Sequence, residues 1–234
     1  TPQLLALSPE AFVQGVVEEH AAEVFVEGQD FRFGKGRAGD VRTLADLARA
    51  HGATAEIVPP VRVALTDQTV CVASSTMLRW LIERGRVRDA ASMLGRPPEL
   101  SGVVGRGDRL GRELGFPTAN MSCDTALPAD GVYAARGILD DGRVYPVALS
   151  VGSRPTFDGV DRRVEAHLLD VHRDAPGWAP IPGLPEYGWR LRLELVSWIR
   201  DQARFPSVDT LRDQLLRDCD LARAALAPTL ETAS

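Results

Sequence analysis

GVYAARGILDDGRVYPVALS, residues 131–150, contains two segments in which apolar side chains alternate with others, Gly131 to Ala135 and Val144 to Leu149. Between them lies Leu139-Asp140-Asp141-Gly142. A period of two marks a strand with one buried face, and Asp-Gly between two such runs marks a hairpin. The same period returns in Val164 to Leu169 and in Trp189 to Leu195. Several such strands within about 100 residues imply a closed or nearly closed antiparallel barrel. Beyond them Ser207 follows Pro206 and is placed to cap a helix. Its apolar face would be Leu211, Leu215, Cys219, Ala222 and Leu226, packed against the barrel.

Upstream the period changes. Ser8-Pro9-Glu10 supplies a side-chain cap and a proline in the first helical turn. Val24-Phe25-Val26 reads as a short buried strand, and Asp40 caps a helix with apolar Val41, Leu44, Leu47 and Ala48 that Gly52 ends. Ala55 to Val58 is the next strand, with more strand signal near Val61 to Val63; a helix follows Ser74-Ser75-Thr76, and a shorter one runs to Gly95. Helices alternating with strands imply part of an α/β domain with a parallel sheet. The tandem prolines Pro97-Pro98 stop the last helix and stiffen a linker. The expected division is therefore 1–96, a linker at 97–100, and a barrel domain over 101–234. The class is α+β, with a partial α/β domain preceding the barrel and its C-terminal helix.

The 234 residues are 44% apolar and 25% charged, which excludes wholesale disorder. A net charge of -5 argues against a nucleic-acid partner. No apolar run is long enough to span a membrane as a helix, and no secretory leader pattern is present. Three distant cysteines, Cys71, Cys123 and Cys219, form neither a disulfide framework nor a zinc motif, so a cytoplasmic location is expected.

The stretch with most chemical content is Gly105 to Asn120. Gly105, Gly107, Gly111 and Gly115 let the backbone approach a ligand, and N–H groups in such a loop can face phosphate oxygens. The loop is neither a Walker A motif nor a dinucleotide fingerprint, and a plain flexible turn between strands fits it equally well. Thr118 and Asn120 lie two apart, hence on one face of an extended segment. Both offer hard oxygen donors of the kind Mg²⁺ accepts; the alternative is a pair of turn-forming polar side chains.

LGRELGFPTAN, LPADGVYAA, VGSRPTFDGVDRRVEAHLLD and RLRLELVSWIRDQARF, in that order, resemble riboflavin kinase over residues 100–226. GQDFRFGKGRAGD and SSTMLR resemble the later part of the Rossmann-like nucleotidyltransferase domain that precedes this kinase in bacterial bifunctional FAD synthetases. The resemblance implies a riboflavin-kinase barrel that phosphorylates riboflavin to FMN with ATP and Mg²⁺. It places metal ligation on Thr118 and Asn120, the proton-accepting carboxylate on Glu165, and nucleotide binding on Gly107, Gly111, Arg112, Gly115 and Pro117. Ser74, Ser75, Thr76 and Arg79 match a later phosphate motif of the nucleotidyltransferase, and Asp30, Phe31 and Phe33 a loop near its nucleotide. The early glycine-rich turn with its His-x-x-His pattern is absent, and His20 and His51 fall at helix ends in other contexts. FMN adenylylation is therefore not expected of this chain, and the inner edge of its partial sheet is expected to associate with another chain or with itself.

Two departures from the family matter. Ser150 stands where the family carries Asn, which is expected to loosen the strand beside the site. His172 to Trp189, with four prolines and two tryptophans, replaces a short turn around Leu-Tyr-Gly; it reads as an inert or partner-facing loop in preference to a lid. These departures leave a second class of function in view: a flavin- or nucleotide-binding module, non-catalytic or repurposed, derived from the same family.

Overall fold

The computed structural model describes residues 2–123, 125–156, 159–171 and 180–230. By its internal contacts the chain divides into residues 1–62 and 63–234.

The first unit begins with a single turn, α1 (Pro2–Leu5), and then α2 (Pro9–His20), where the Ser8 hydroxyl accepts from the Ala11 N–H. Strand β1 (Val24–Gly28) pairs in parallel with β2 (Thr54–Val58), and α3 (Val41–Ala50) connects them. Asp40 caps α3 by accepting from the N–H groups of Arg42 and Thr43 at 3.0 and 2.9 Å. Helix α3 packs on one face of the two strands. Val13, Phe33 and Leu44 are buried there, with Phe12, Phe25 and Phe31 against them. The other face is bare. Val24 and Val26, expected in a buried strand, are 52% and 58% exposed, because two strands covered on one side bury only alternate residues.

The second unit opens with the short hairpin of β3 (Arg62–Ala64) and β4 (Val70–Val72). Two helices follow, α4 (Ser75–Glu83) and α5 (Val87–Leu94). Ser74 caps α4 through the Met77 N–H, and Gly95 ends α5 in the left-handed region at φ 73°. The barrel consists of β5 (Glu99–Gly105), β6 (Ala119–Cys123), β7 (Gly131–Leu139), β8 (Val144–Thr156), β9 (Gly159–Leu168) and β10 (Arg190–Arg200). It closes in the order β10-β5-β6-β9-β8-β7, every pairing antiparallel. A single turn, α6 (Leu110–Glu113), lies in the loop between β5 and β6. Helix α7 (Val208–Leu230) ends the chain as described, with Ser207 at its start and Cys219, Ala222 and Leu226 buried.

Alternation along the barrel strands decides both faces. Inside lie Leu100, Val104, Met121, Tyr133, Leu149, Val151, Val164, Leu191, Leu193 and Leu195. Each large aliphatic side chain buried this way stabilises the fold by roughly 1.5–3 kcal/mol. Outside, Ala134, Phe116 and Leu169 pack against Cys219, Ala222 and Leu226 of α7, so the helix covers one patch of the outer surface.

The contact boundary after Arg62 differs from the one expected at the prolines. Val87 of α5 is 1% exposed within the barrel core, α5 packs on β10, and the Leu195 N–H donates to the Pro98 carbonyl at 2.9 Å. Pro97-Pro98 does end the helical region, and the Pro98 carbonyl is hydrogen-bonded to β10. Burial of Val87 and the packing of α5 on β10 attach α5 to the barrel, while Leu65, Leu81 and Ala90 form a small core of their own.

Candidate active site

The outer face of the barrel carries a row of cross-strand neighbours with three adjacent polar residues at its centre. Registers place Gly105 opposite Asn120, Asn120 opposite Glu165, Glu165 opposite Ser150, Ser150 opposite Val132, and Val132 opposite Arg200. Side chains directly opposite in an antiparallel pair have Cβ atoms roughly 4.5–5.5 Å apart. Asn120, Glu165 and Ser150 are therefore immediate neighbours although 30 residues separate the outer two along the chain. The next row holds His167 opposite Ala148. The His167 Nδ1–H donates to the Pro117 carbonyl at 2.7 Å, fixing the backbone just before Thr118. Burial lowers the affinity of this imidazole for a proton, and the bond to Pro117 opposes that effect.

Two cavities meet at this row. The larger, about 670 Å³, lies between the barrel's outer face and the segment from Gln202 to Cys219. Glu165, His167, Ser150, Asp130, Thr118 and Asn120 are among the residues that line it. The smaller, about 90 Å³, lies under the β5–β6 loop. Gly107, Arg109, Arg112 and Pro117 line it from the loop side, and Leu168, Ile181, Pro185, Glu186, Tyr187 and Trp189 from the other. Thr118 and Asn120 face both cavities.

The glycine-rich loop is shaped by these side chains. A Cβ on Gly107 would overlap the Asn120 amide, and one on Gly111 would strike the Phe116 carbonyl oxygen. Both positions require glycine for the loop to lie this close to the row. The loop is tied down by charge: Arg163 donates to Asp108 at 2.7 Å, and Arg112 donates to Glu186 at 2.9 Å. Arg109 donates to the Tyr187 hydroxyl at 3.1 and 3.3 Å and to Glu186 at 3.4 Å. The Arg112 guanidinium and the Tyr187 hydroxyl hold the Glu186 carboxyl below its ordinary range.

The residues singled out in the sequence divide clearly. Thr118, Asn120 and Glu165 come together, and Gly107, Arg112 and Pro117 line the smaller cavity. Gly111 lines the larger cavity, while Gly115 lines neither and serves the turn at φ 87°. Ser74, Ser75, Thr76 and Arg79 lie on exposed surface at the start of α4, and none of them lines either cavity. Phe33 is buried and stacks on Phe31 at 5.5 Å, so these rings build the core of the first unit.

Three features were not foreseen. Ser150 does not loosen its strand, because Gln202 donates to the Ser150 hydroxyl at 2.9 Å and to the Val151 carbonyl at 3.0 Å. The β8 pairings run unbroken through that position on both sides. Second, residues 172–179 of the expected inert loop lie outside the described residues, but 180–189 do not behave as inert. They form a wall of the smaller cavity and carry the carboxylate that binds Arg112. Third, Arg200 makes a two-pronged ion pair with Asp218 at 2.8 and 2.6 Å, fastening α7 over the larger cavity.

The donor set suits a hard cation. Thr118 Oγ1, just before β6, and the Asn120 amide oxygen on it are neutral oxygen donors on residues that line both cavities, and Mg²⁺ typically takes one or two protein oxygens and completes its shell with phosphate and water. Among the described residues no cluster of three His, Cys, Asp or Glu side chains forms a self-sufficient metal cage.

Comparison with known proteins gives consistent results. The riboflavin kinase family matches residues 94–226, and the FAD synthetase family matches residues 1–75. The bifunctional riboflavin kinase/FMN adenylyltransferase of Escherichia coli K12 is 34% identical over 219 residues, 91% of this chain and 64% of that protein. The protein of the same name from Listeria monocytogenes is 31% identical over 230 residues, 97% of this chain and 68% of that protein. A crystal structure of a macrolide-efflux protein from Streptococcus pneumoniae superposes with a TM-score of 0.76 at 31% identity, over 94% of this chain and 66% of that one. The chain thus spans about two thirds of the length of the relatives it matches.

Proposed function

The chain belongs to the riboflavin kinase family, and from that premise we propose that it transfers the γ-phosphoryl group of ATP to the terminal ribityl hydroxyl of riboflavin, giving FMN and ADP. The observation that carries this reading is the sharing of Thr118 and Asn120 by two cavities, with Glu165 paired opposite Asn120. A donor in one cavity and an acceptor in the other would meet at that strand edge.

Phosphoryl transfer asks a protein chiefly for alignment and charge neutralisation. The larger cavity lies within the roughly 300–1,000 Å³ typical of small-molecule pockets. Its mixture of Phe205, Leu211 and Leu215 with polar groups suits a flat flavin ring carrying a hydroxylated tail. Glu165 accepts the proton of the ribityl hydroxyl as its oxygen bonds to the γ-phosphorus and the bond from that phosphorus to the bridging oxygen of ADP breaks. Thr118 and Asn120 would hold a Mg²⁺ ion, whose chemistry there is to screen the phosphate oxygens. His167, through the Pro117 carbonyl, keeps Thr118 in place, and Arg112 approaches from the loop to offset developing charge.

The proposal covers phosphoryl transfer alone. Incubating the chain with riboflavin, ATP and Mg²⁺ and separating the flavins by chromatography tests it, with FMN as the expected product. FAD in the same chromatogram would add the adenylyl transfer named for the relatives. Unchanged riboflavin, with riboflavin still bound, would refute the kinase and favour a flavin-binding module.

A further inference from the structure

We propose that Glu186 is an anionic stand-in for nucleotide phosphate: it latches the glycine-rich loop through Arg109 and Arg112, the arginines that line the smaller cavity, and so sets the affinity for the nucleotide. The identity of that nucleotide as ATP rests on the kinase reading above.

One half of the latch is rigid. Gly188 donates to the Val104 carbonyl at 2.8 Å, and Val104 donates to the Trp189 carbonyl at 2.9 Å. These two backbone bonds clamp residues 188–189 to the end of β5, so Glu186 and Tyr187 stand on a fixed support. The other half is deformable. The loop between β5 and β6 holds Gly107, Gly111 and Gly115, and Arg109 sits at φ 63°, a conformation uncommon outside glycine. The two halves are joined by Arg112 and Arg109 to one carboxylate oxygen of Glu186, and by Arg109 to Tyr187.

The space beneath the loop is about 90 Å³ and partly open to solvent, well under the roughly 300 Å³ at which small-molecule pockets begin. The space is small for a whole nucleoside triphosphate, so binding beneath the loop calls for the loop to move. Opening the loop separates Glu186 from two arginines that line the same cavity. Those arginines then meet phosphate oxygens, so one anion replaces another. The carboxylate is about one-third exposed and the arginines are similarly wet, and ion pairs in such surroundings are weak. A ligand with several negative charges and bidentate oxygens can displace a single carboxylate. Glu186 also remains beside the incoming phosphates as a like charge. Both effects act in the same direction: Glu186 lowers nucleotide affinity and favours release of the spent diphosphate.

Glu186→Gln keeps the side-chain shape and removes the charge. In the nucleotide-free protein, tryptic cleavage after Arg109 and Arg112 is expected to accelerate several-fold relative to the parent. Affinity for MgADP, read by calorimetry, should rise about threefold to tenfold at low ionic strength, and the gain should shrink as salt is added. Unchanged cleavage, or MgADP affinity that is unaltered or weaker, overturns the proposal. Neither readout needs turnover. If the parent chain makes no FMN the kinase reading fails, while proteolysis and MgADP binding still decide the latch.

Discussion

The barrel and the N-terminal sheet draw on the same residue types and finish with opposite exposure. In β8 and β10, Val147, Leu149, Val151, Leu191, Leu193 and Leu195 are almost wholly buried. In β1 and β2, Val24, Val26 and Val58 stay substantially exposed. Apolar content cannot account for the difference, and closure of the sheet does. Six strands returning on themselves leave no edge and enclose one face completely. Two parallel strands with a helix on one side leave a bare face and open edges. The registers of β6, β9 and β8 line up Asn120, Glu165 and Ser150 on the outer surface, in the cavity that α7 helps to wall.

The contrast can be tested by substitution. On the kinase reading proposed above, Glu165→Gln is expected to lower turnover about 10²–10⁴-fold while leaving flavin binding largely intact, as the loss of a proton acceptor would. Near-normal turnover would move the chemistry away from the outer row. Inside the barrel, Leu193→Ala should lower unfolding stability by about 2–5 kcal/mol, the usual cost of a cavity in a packed core. A loss below 1 kcal/mol in urea denaturation would mean that the enclosed face is loosely packed. On the bare face, Val26→Thr should change stability by no more than about 0.5 kcal/mol. A clearly larger loss would show that another chain covers that face in solution, and the contrast between the two sheets would then vanish.

Much of the fold is legible because its signals are local. The hairpin at Asp141-Gly142, the caps at Ser8, Asp40, Ser74 and Ser207, and the buried stripe of α7 each depend on residues within a turn or two. The site is legible in part. Thr118 and Asn120 share a face by simple alternation, but nothing local brings Glu165 to Asn120, and the antiparallel register of β6 and β9 alone does that. Gln202 could not be matched to Ser150 from sequence, since 52 residues separate them and the bond forms only when the strand end after β10 returns past β8. Glu186 was hidden for a similar reason. In a proline-rich stretch it resembles a solvated loop charge, until the backbone bonds of Gly188 and Trp189 to Val104 carry it over the cavity.

The sequence by itself determined the alternating strands, the helix boundaries, the glycines that let a loop lie against Asn120, and the family to which the chain belongs. The tertiary structure alone decided which alternating strands are enclosed, where the first unit ends, and which charges meet across the loop. The physical reason is distance along the chain. Capping, turn formation and periodicity act over a few residues, whereas register, closure and ion pairing between segments 50–80 residues apart exist only once the sheet has closed.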